Sequence, residues 1–149
     1  MKINWKLKPF AKLSLQELYD IMVLRQAVFI VEQDCPYMDA DGKDQKSHHF
    51  MGYDDKLGLV AYTRIVEPGV SYKEVAIGRV ISSEKVRGKG VGIQLMELSI
   101  KQVNDLYGNV PIRIGAQCYL ERFYRSFGFE PTGYEYLEDG IPHMEMLRN

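Results

Sequence analysis

Apolar and polar residues alternate from Ile3 to Lys8 (INWKLK), the period of a half-buried strand, and the run stops at Pro9. Beyond Ser14 the period changes. Leu15, Leu18, Met22 and Val28 recur at roughly helical spacing, and Ser14 with Glu17 three positions on is a capping-box signature, so a first helix is predicted from Leu15 to about Val28. His48 to Tyr53 and Leu57 to Val66, separated by Asp54-Asp55-Lys56, read as a hairpin. After the Pro68-Gly69 turn, Val75 to Ser82 (VAIGRVIS) is rich in β-branched residues and reads as a buried strand. Gly90 to Tyr107 returns to helical spacing, with Ile93, Met96, Ile100, Val103 and Tyr107 on one stripe. Glu97 and Lys101 form an exposed i, i+4 pair there, and Gly108 with Pro111 stops the helix. A short strand, Ile112 to Gln117, precedes a helix from about Tyr119 to Phe127, and Glu130 to Arg148 holds a further strand pair around Glu138-Asp139-Gly140.

This order predicts an α/β protein whose central unit is a βαβ crossover, with its chemistry at the open ends of the strands. No repeat, low-complexity run or linker breaks the chain, and 149 residues suit one domain spanning positions 1–149. From Asp34 to Asp44 (DCPYMDADGKD) the Pro, Gly and Asp content predicts an exposed, mobile acidic loop.

Charge and composition narrow the partners. With 19 basic against 20 acidic residues and a formal net charge of −1, nothing draws the chain onto a nucleic-acid backbone. The apolar run Ala27 to Val31 is too short to span a bilayer and the N-terminus lacks the apolar core of a secretory signal, so no membrane partner and a cytoplasmic location are expected. Cys35 and Cys118 stand apart without a Cys-x-x-Cys pairing and read as reduced thiols. Asp39-Ala40-Asp41-Gly42 superficially suggests calcium, but Tyr37 and His48 stand where that pattern needs its first Asp and last Glu. No metal is expected; the loop reads as solvated, or as an electrostatic lure for a cationic amine.

The most informative stretch is Arg87-Gly88-Lys89-Gly90-Val91-Gly92, between the strand ending near Ser82 and the helix beginning near Gly90. A helix N-terminus offers unpaired N–H groups and partial positive charge, and glycines let a phosphate approach those amides. Arg87 and Lys89 supply the cations such a ligand needs. No Gly-Lys-Ser/Thr follows, as a nucleoside-triphosphate loop would require, and the glycine spacing is not that of a dinucleotide turn. The same residues would also serve as a plain strand-to-helix connection with solvated cations.

At this point the sequence resembles the GNAT superfamily of N-acetyltransferases, and within it the ElaA-like branch. Arg87, Gly90 and Gly92 occupy the places of the superfamily's pyrophosphate motif, and Phe123, Tyr124, Gly128 and Phe129 those of its later Tyr-x-x-x-Gly-Phe motif. The narrower resemblance lies in LRQAVFIVEQDCPYMDADG (Leu24 to Gly42), IGRV (Ile77 to Val80), GAQ (Gly115 to Gln117), SFGF (Ser126 to Phe129) and EDGIPH (Glu138 to His143). It spans nearly the whole chain in family order. The resemblance implies a mixed, mostly antiparallel sheet splayed between Val75–Ser82 and Ile112–Gln117, flanked by helices, with the pantetheine of acetyl-CoA in the gap.

On the same ground Val80, Ile81 and Ser82 would meet the pantetheine and Arg87, Gly88, Lys89, Gly90, Val91 and Gly92 the diphosphate, with Gln117, Phe123 and Tyr124 completing the cofactor contacts. Ser82 departs from the apolar residue many relatives carry. The resemblance makes Tyr124 the acid that protonates the leaving thiolate, and the Ile81 N–H the donor to the oxyanion. The acceptor would be a primary amine of a small molecule or peptide. The base that neutralises it is open among Glu32, His48, His49, Glu74, Glu135 and His143. For His48 and His49 the plain expectation is a strand pair with one ring in and one out; for His143 it is a structural hydrogen bond. Two other readings remain: a non-catalytic acyl-CoA-binding or regulatory module, and an acyl-homoserine lactone synthase, which this chain is short for. Pairing of two copies through the C-terminal strands is compatible with either enzyme.

Overall fold

The computed structural model describes all 149 residues. Seven strands form one sheet in the order β1-β2-β3-β4-β5-β7-β6. They are β1 (Asn4–Pro9), β2 (Ser47–Asp54), β3 (Gly58–Val66), β4 (Val75–Ser82), β5 (Ile112–Gln117), β6 (Glu130–Glu138) and β7 (Ile141–Arg148). Every neighbouring pair is antiparallel except β4 and β5, which are joined by the crossover helix α2 (Val91–Tyr107). The other helices are α1 (Leu15–Arg25) and the short α3 (Glu121–Arg125).

The capping box forms: Ser14 Oγ accepts from the Glu17 amide at 3.0 Å, and the Glu17 carboxylate accepts from the Ser14 amide at 2.8 Å. Lys6 and Lys8 reach the same carboxylate from β1, at 2.9 and 3.0 Å. α1 stops before Val28, however. After Arg25 the backbone widens into a π turn, Gln26–Glu32, which carries no residue buried to the degree of Ile21 and Leu24. A spacing argument built on 3.6 residues per turn misses such a change of phase.

α2 starts at Gly90, which caps it in the left-handed region, and ends at Gly108. Its buried stripe is Val91, Leu95, Met96, Ser99, Ile100 and Val103; Ile93, assigned to that stripe from spacing, is 52% exposed. Lys101 pairs with Asp105 at 3.7 Å instead of with Glu97. Met96, Ile100 and Val103 pack on Ile65, Val75, Ile77, Ile112 and Ile114. Ile21 and Leu24 of α1 join Met51, Tyr62 and Ile81 in a separate cluster. Each aliphatic side chain so buried contributes about 1.5–3 kcal/mol.

The segment from Asp34 to Asp44 is largely exposed, as expected, but Asp39, Asp41 and Asp44 are not a free acidic lure. Asp39 and Asp44 are buried, and Arg25, with no exposed surface, donates to Asp39 Oδ2 and Asp44 Oδ1 at 2.7 Å each. Arg64 donates to Asp41 Oδ1 and Oδ2 at 2.8 Å and to Asp44 at 3.0 Å, and Arg79 to Asp39 Oδ1 at 2.8 Å. Buried charge is tolerated only when paired and hydrogen-bonded, and Asp39, Asp41 and Asp44 are consumed by arginines from α1, β3 and β4. Burial alone would raise the Asp44 carboxyl; the Arg25 contact and then Arg64 outweigh it and hold that carboxyl below the usual range. No helix is long and apolar enough to cross a membrane.

Candidate active site

β4 and β5 pair only through Val75 with Ile112 and Ala76 with Arg113, then part. Beyond that point β4 stays on β3, but with an irregularity: Tyr62 faces Ile81 and Arg64 faces Gly78, so Thr63 opposes both Arg79 and Val80. This is a β-bulge, which raises local twist and re-aims the strand. Arg79 carries the strain with φ +48°, a conformation that costs a non-glycine residue about 1–3 kcal/mol. Its guanidinium is anchored to the Asp39 carboxylate and, at 3.1 Å, to the Asp39 carbonyl. β5 meanwhile follows β7, pairing Gln117 with His143.

The parting leaves a cleft of about 910 Å³. Val80, Ile81, Ser82 and Arg87 line one side, Gln117, Tyr119 and Tyr124 the other, and Tyr72, Tyr136, Glu138 and His143 close the end. The Ser83 amide donates to the Val60 carbonyl at 2.7 Å. Strand alternation therefore turns the Ile81 N–H toward β3 as well, and turns the polar groups of Ser82 and Val80 toward the cleft. The expectation that Ile81 supplies the oxyanion donor is corrected on that ground. Ser82 agrees with it: its carbonyl accepts from Arg87 Nε and Nη2 at 3.3 and 3.2 Å.

At the start of α2, Gly88 and Gly90 have φ +80° and +76°, and no atom lies within 4 Å of where a side chain would begin. The amides there are unobstructed. Gly92 approaches the Ser82 hydroxyl, its Cβ position lying 3.9 Å away. Lys89 is exposed. Arg87 is not a free cation, since its Nη1 lies 2.5 Å from Glu32 Oε2 in an ion pair that ties the end of β4 to the π turn.

Tyr124 is 7% exposed and packs edge-on against Phe123 and Phe129. Phe123 does not line the cleft; it packs between Tyr124 and Phe127. The fully buried side-chain polar atoms without partners are Trp5 Nε1 and Arg64 Nε alone. The Tyr124 hydroxyl, with no protein hydrogen bond, therefore keeps some surface, and the cleft is where that side chain meets open space. Burial, with the Tyr119 charge second, pushes its phenol above the ordinary value of 10.0.

The six acids and histidines considered as bases separate cleanly. His49 has no exposed surface; its Nδ1 meets the Tyr62 hydroxyl at 2.6 Å and its Nε2 the Asp44 carbonyl at 2.9 Å, so both nitrogens are spent. Burial lowers its pKa and keeps it neutral. His48 is half-buried and lies outside the cleft. Glu74 is bound by Arg113 through two bonds of 3.0 Å, Glu32 by Arg87, and Glu135 lies off the cleft wall. His143 alone lines the cleft with a ring nitrogen free of hydrogen bonds. Sequence reasoning did not single out Tyr72 and Tyr136, whose hydroxyls sit against Gly115, where any side chain would collide with them. The only signal was a glycine inside a strand.

A second groove, about 670 Å³ between α1 and the β2–β3 turn, is lined by no histidine. The acetyltransferase (GNAT) domain family matches residues 20–148. The chain belongs to the GNAT acetyltransferase family. This GNAT chain is similar to protein ElaA of Escherichia coli K12, 44% identical over 98% of this chain and 96% of the relative. The crystal structure of Escherichia coli ElaA superposes with a TM-score of 0.92 at 43% identity, covering 99% of this chain and all of that one (100%). An acyl-CoA N-acyltransferase from Pseudomonas aeruginosa superposes with a TM-score of 0.94 at 41% identity, covering 99% and 100%. The seven-stranded, mostly antiparallel open sheet is the GNAT acyl-CoA N-acyltransferase fold, and acyl transfer is the chemistry of that family. The residues fit an acyl-CoA: an unpaired edge of β4 matches an extended amide-bearing arm, and open amides beside it match a diphosphate.

Proposed function

We propose that this GNAT protein moves the acetyl group of acetyl-CoA onto a primary amine by direct transfer in a ternary complex, as one cytoplasmic domain. The observation that carries the reading is the parting of β4 from β5 directly beside the open amides of α2, with the Tyr124 side chain on the opposite wall. The amides of Gly88 to Gly92 and Lys89 hold the diphosphate, and Arg87 fixes the end of β4. The polar backbone groups of Val80 and Ser82 take the pantetheine arm, with Gln117 on the far lip. The amine nitrogen attacks the thioester carbonyl carbon, the backbone N–H of Val80 meets the oxyanion, and the carbon–sulfur bond breaks as Tyr124 gives its proton to sulfur. A phenol kept protonated by burial suits that role.

The test is release of free coenzyme A thiol from acetyl-CoA with a panel of amines, with Tyr124→Phe as the control. Thiol release that depends on an amine and collapses in the variant supports the reading. Tight acetyl-CoA binding with no turnover on any amine would favour a non-catalytic binding module.

A further inference from the structure

His143 Nδ1 lies 2.7 Å from the Ile141 carbonyl oxygen. A carbonyl can only accept, so this contact places the proton of the neutral ring on Nδ1 and leaves the lone pair on Nε2. Most neutral histidines in water choose their tautomer freely; this one is fixed by a backbone two residues away. The residue is 9% exposed, and its ring stacks on Tyr136 with centroids 5.5 Å apart and planes inclined by 24°, which holds the imidazole in one orientation. Nε2 makes no hydrogen bond, and the nearest charge is Glu138 Oε2 at 3.6 Å. That distance is too long for a hydrogen bond yet close enough to stabilise a positive ring.

Resting on the acetyl-transfer reading above, we propose that His143 is the general base that neutralises the incoming ammonium, with Glu138 stabilising the imidazolium that results. The position agrees. His143 pairs with Gln117, the last residue of β5, and Tyr124 follows Gln117 by one turn and a short helix, so base and acid flank the same strand end and line the same cleft. The ammonium gives one proton to Nε2. The freed nitrogen lone pair forms the C–N bond at the thioester carbonyl carbon, and the C–S electron pair leaves with sulfur. Tyr124 protonates that sulfur and is restored by the second proton of the nitrogen, leaving an amide, a free thiol and one proton on His143 for solvent to remove.

The titratable and charged groups at this end of the cleft are Glu138, Asp139, Tyr134 and Tyr136 from β6 and its turn, Glu145 from β7, Tyr72 ahead of β4, and Cys35. Arg113 pairs with Glu145 at 3.7 Å. Burial raises Tyr72 and Tyr136 above the ordinary tyrosine value. The assignment rests on the limb of the rate profile that His143→Asn removes.

The experiment uses the full chain, acetyl-CoA, and spermidine, tryptamine and L-lysine as acceptors, with kcat and KM followed from pH 5.5 to 9. His143→Asn keeps a donor for the Ile141 carbonyl but no titratable lone pair. It should lower kcat by about 10²-fold or more, abolish the acid limb of the rate profile and leave coenzyme A affinity unchanged. Free imidazole should partly restore His143→Ala, and Glu138→Gln should lower kcat with coenzyme A affinity unchanged. Nitrogen-15 spectra of the wild-type protein should show the Nδ1–H tautomer for His143. Full turnover in His143→Asn with an unchanged pH profile, or an Nε2–H tautomer, overturns the assignment and leaves the acetyl-transfer reading intact. A wild-type protein that binds coenzyme A but acetylates none of the amines overturns both.

Discussion

Arg79 adopts φ +48° in the middle of β4 while its Nε donates to Asp39 Oδ1 at 2.8 Å. The loop from Asp34 to Asp44 thus holds the bulge that turns the end of β4 into the cleft. Asp39 is shared with Arg25, which has no exposed surface. Removing the charge at Asp39 takes one of two carboxylates from the buried Arg25 guanidinium, which keeps Asp44. Asp39→Asn is expected to cost about 1.5–3 kcal/mol in urea denaturation, where Asp55→Asn at the exposed β2–β3 turn should stay within about 0.5 kcal/mol.

The Glu17 carboxyl is lowered from 4.5 to about 2: burial would raise it, but the Ser14 amide and then Lys6 and Lys8 overcome that effect. A carboxyl whose folded value lies below its unfolded one stabilises the fold fully above the unfolded value and loses that contribution as pH falls. Stability should therefore decline between pH 4.5 and about 2 through this group. Glu17→Gln should flatten that part of the stability profile, read by thermal unfolding from pH 6 downward.

Tyr124→Phe removes the proton for the leaving sulfur and little packing. kcat is expected to fall by about 10²–10⁴-fold with the coenzyme A dissociation constant unchanged by calorimetry. Because burial raises the Tyr124 phenol above 10.0, no alkaline limb from this group should appear below that pH. A limb near pH 8 that vanishes in the variant would contradict a phenol raised by burial.

Gly90 has φ +76° and open space around it. A side chain there costs about 1–2 kcal/mol in backbone strain and stands in front of the α2 amides. Gly90→Val should weaken coenzyme A binding at least tenfold, measured by calorimetry. Gly92, with no positive φ, isolates the steric part: Gly92→Val should weaken binding with little change in melting temperature.

Arg87→Ala should act differently from the glycine variants. It releases the Ser82 carbonyl and frees Glu32, so an anion remains beside the diphosphate site. Coenzyme A affinity should fall and regain part of the loss in Arg87→Ala combined with Glu32→Gln, a non-additivity that a double-mutant cycle measures.

Local signals were legible in the chain wherever the cause is local. The Ser14 and Glu17 capping box and the glycine stop at Gly108 formed as read, and the turn read at Asp54-Asp55-Lys56 formed one residue later, because each is decided within four residues. The stripe on α2 was read one position off at Ile93, since the direction of the apolar face is decided by which strands lie beneath it. The π turn after Arg25 was not legible, because nothing local distinguishes it from three more helical residues.

The succession of strands along the chain, the glycine turn before α2 and the aromatic segment around Tyr124 were determined by the sequence itself, through periodicity, backbone freedom and motif spacing. Only the tertiary structure decided that three carboxylates of the acidic loop pair with three arginines, that Ile81 faces the ladder, and that one of six candidate bases reaches the cleft with a free nitrogen. Those outcomes depend on groups far apart in the chain, such as Arg79 with Asp39 or His143 with Gln117, and distance in space between such groups follows from packing and register, not from spacing along the chain.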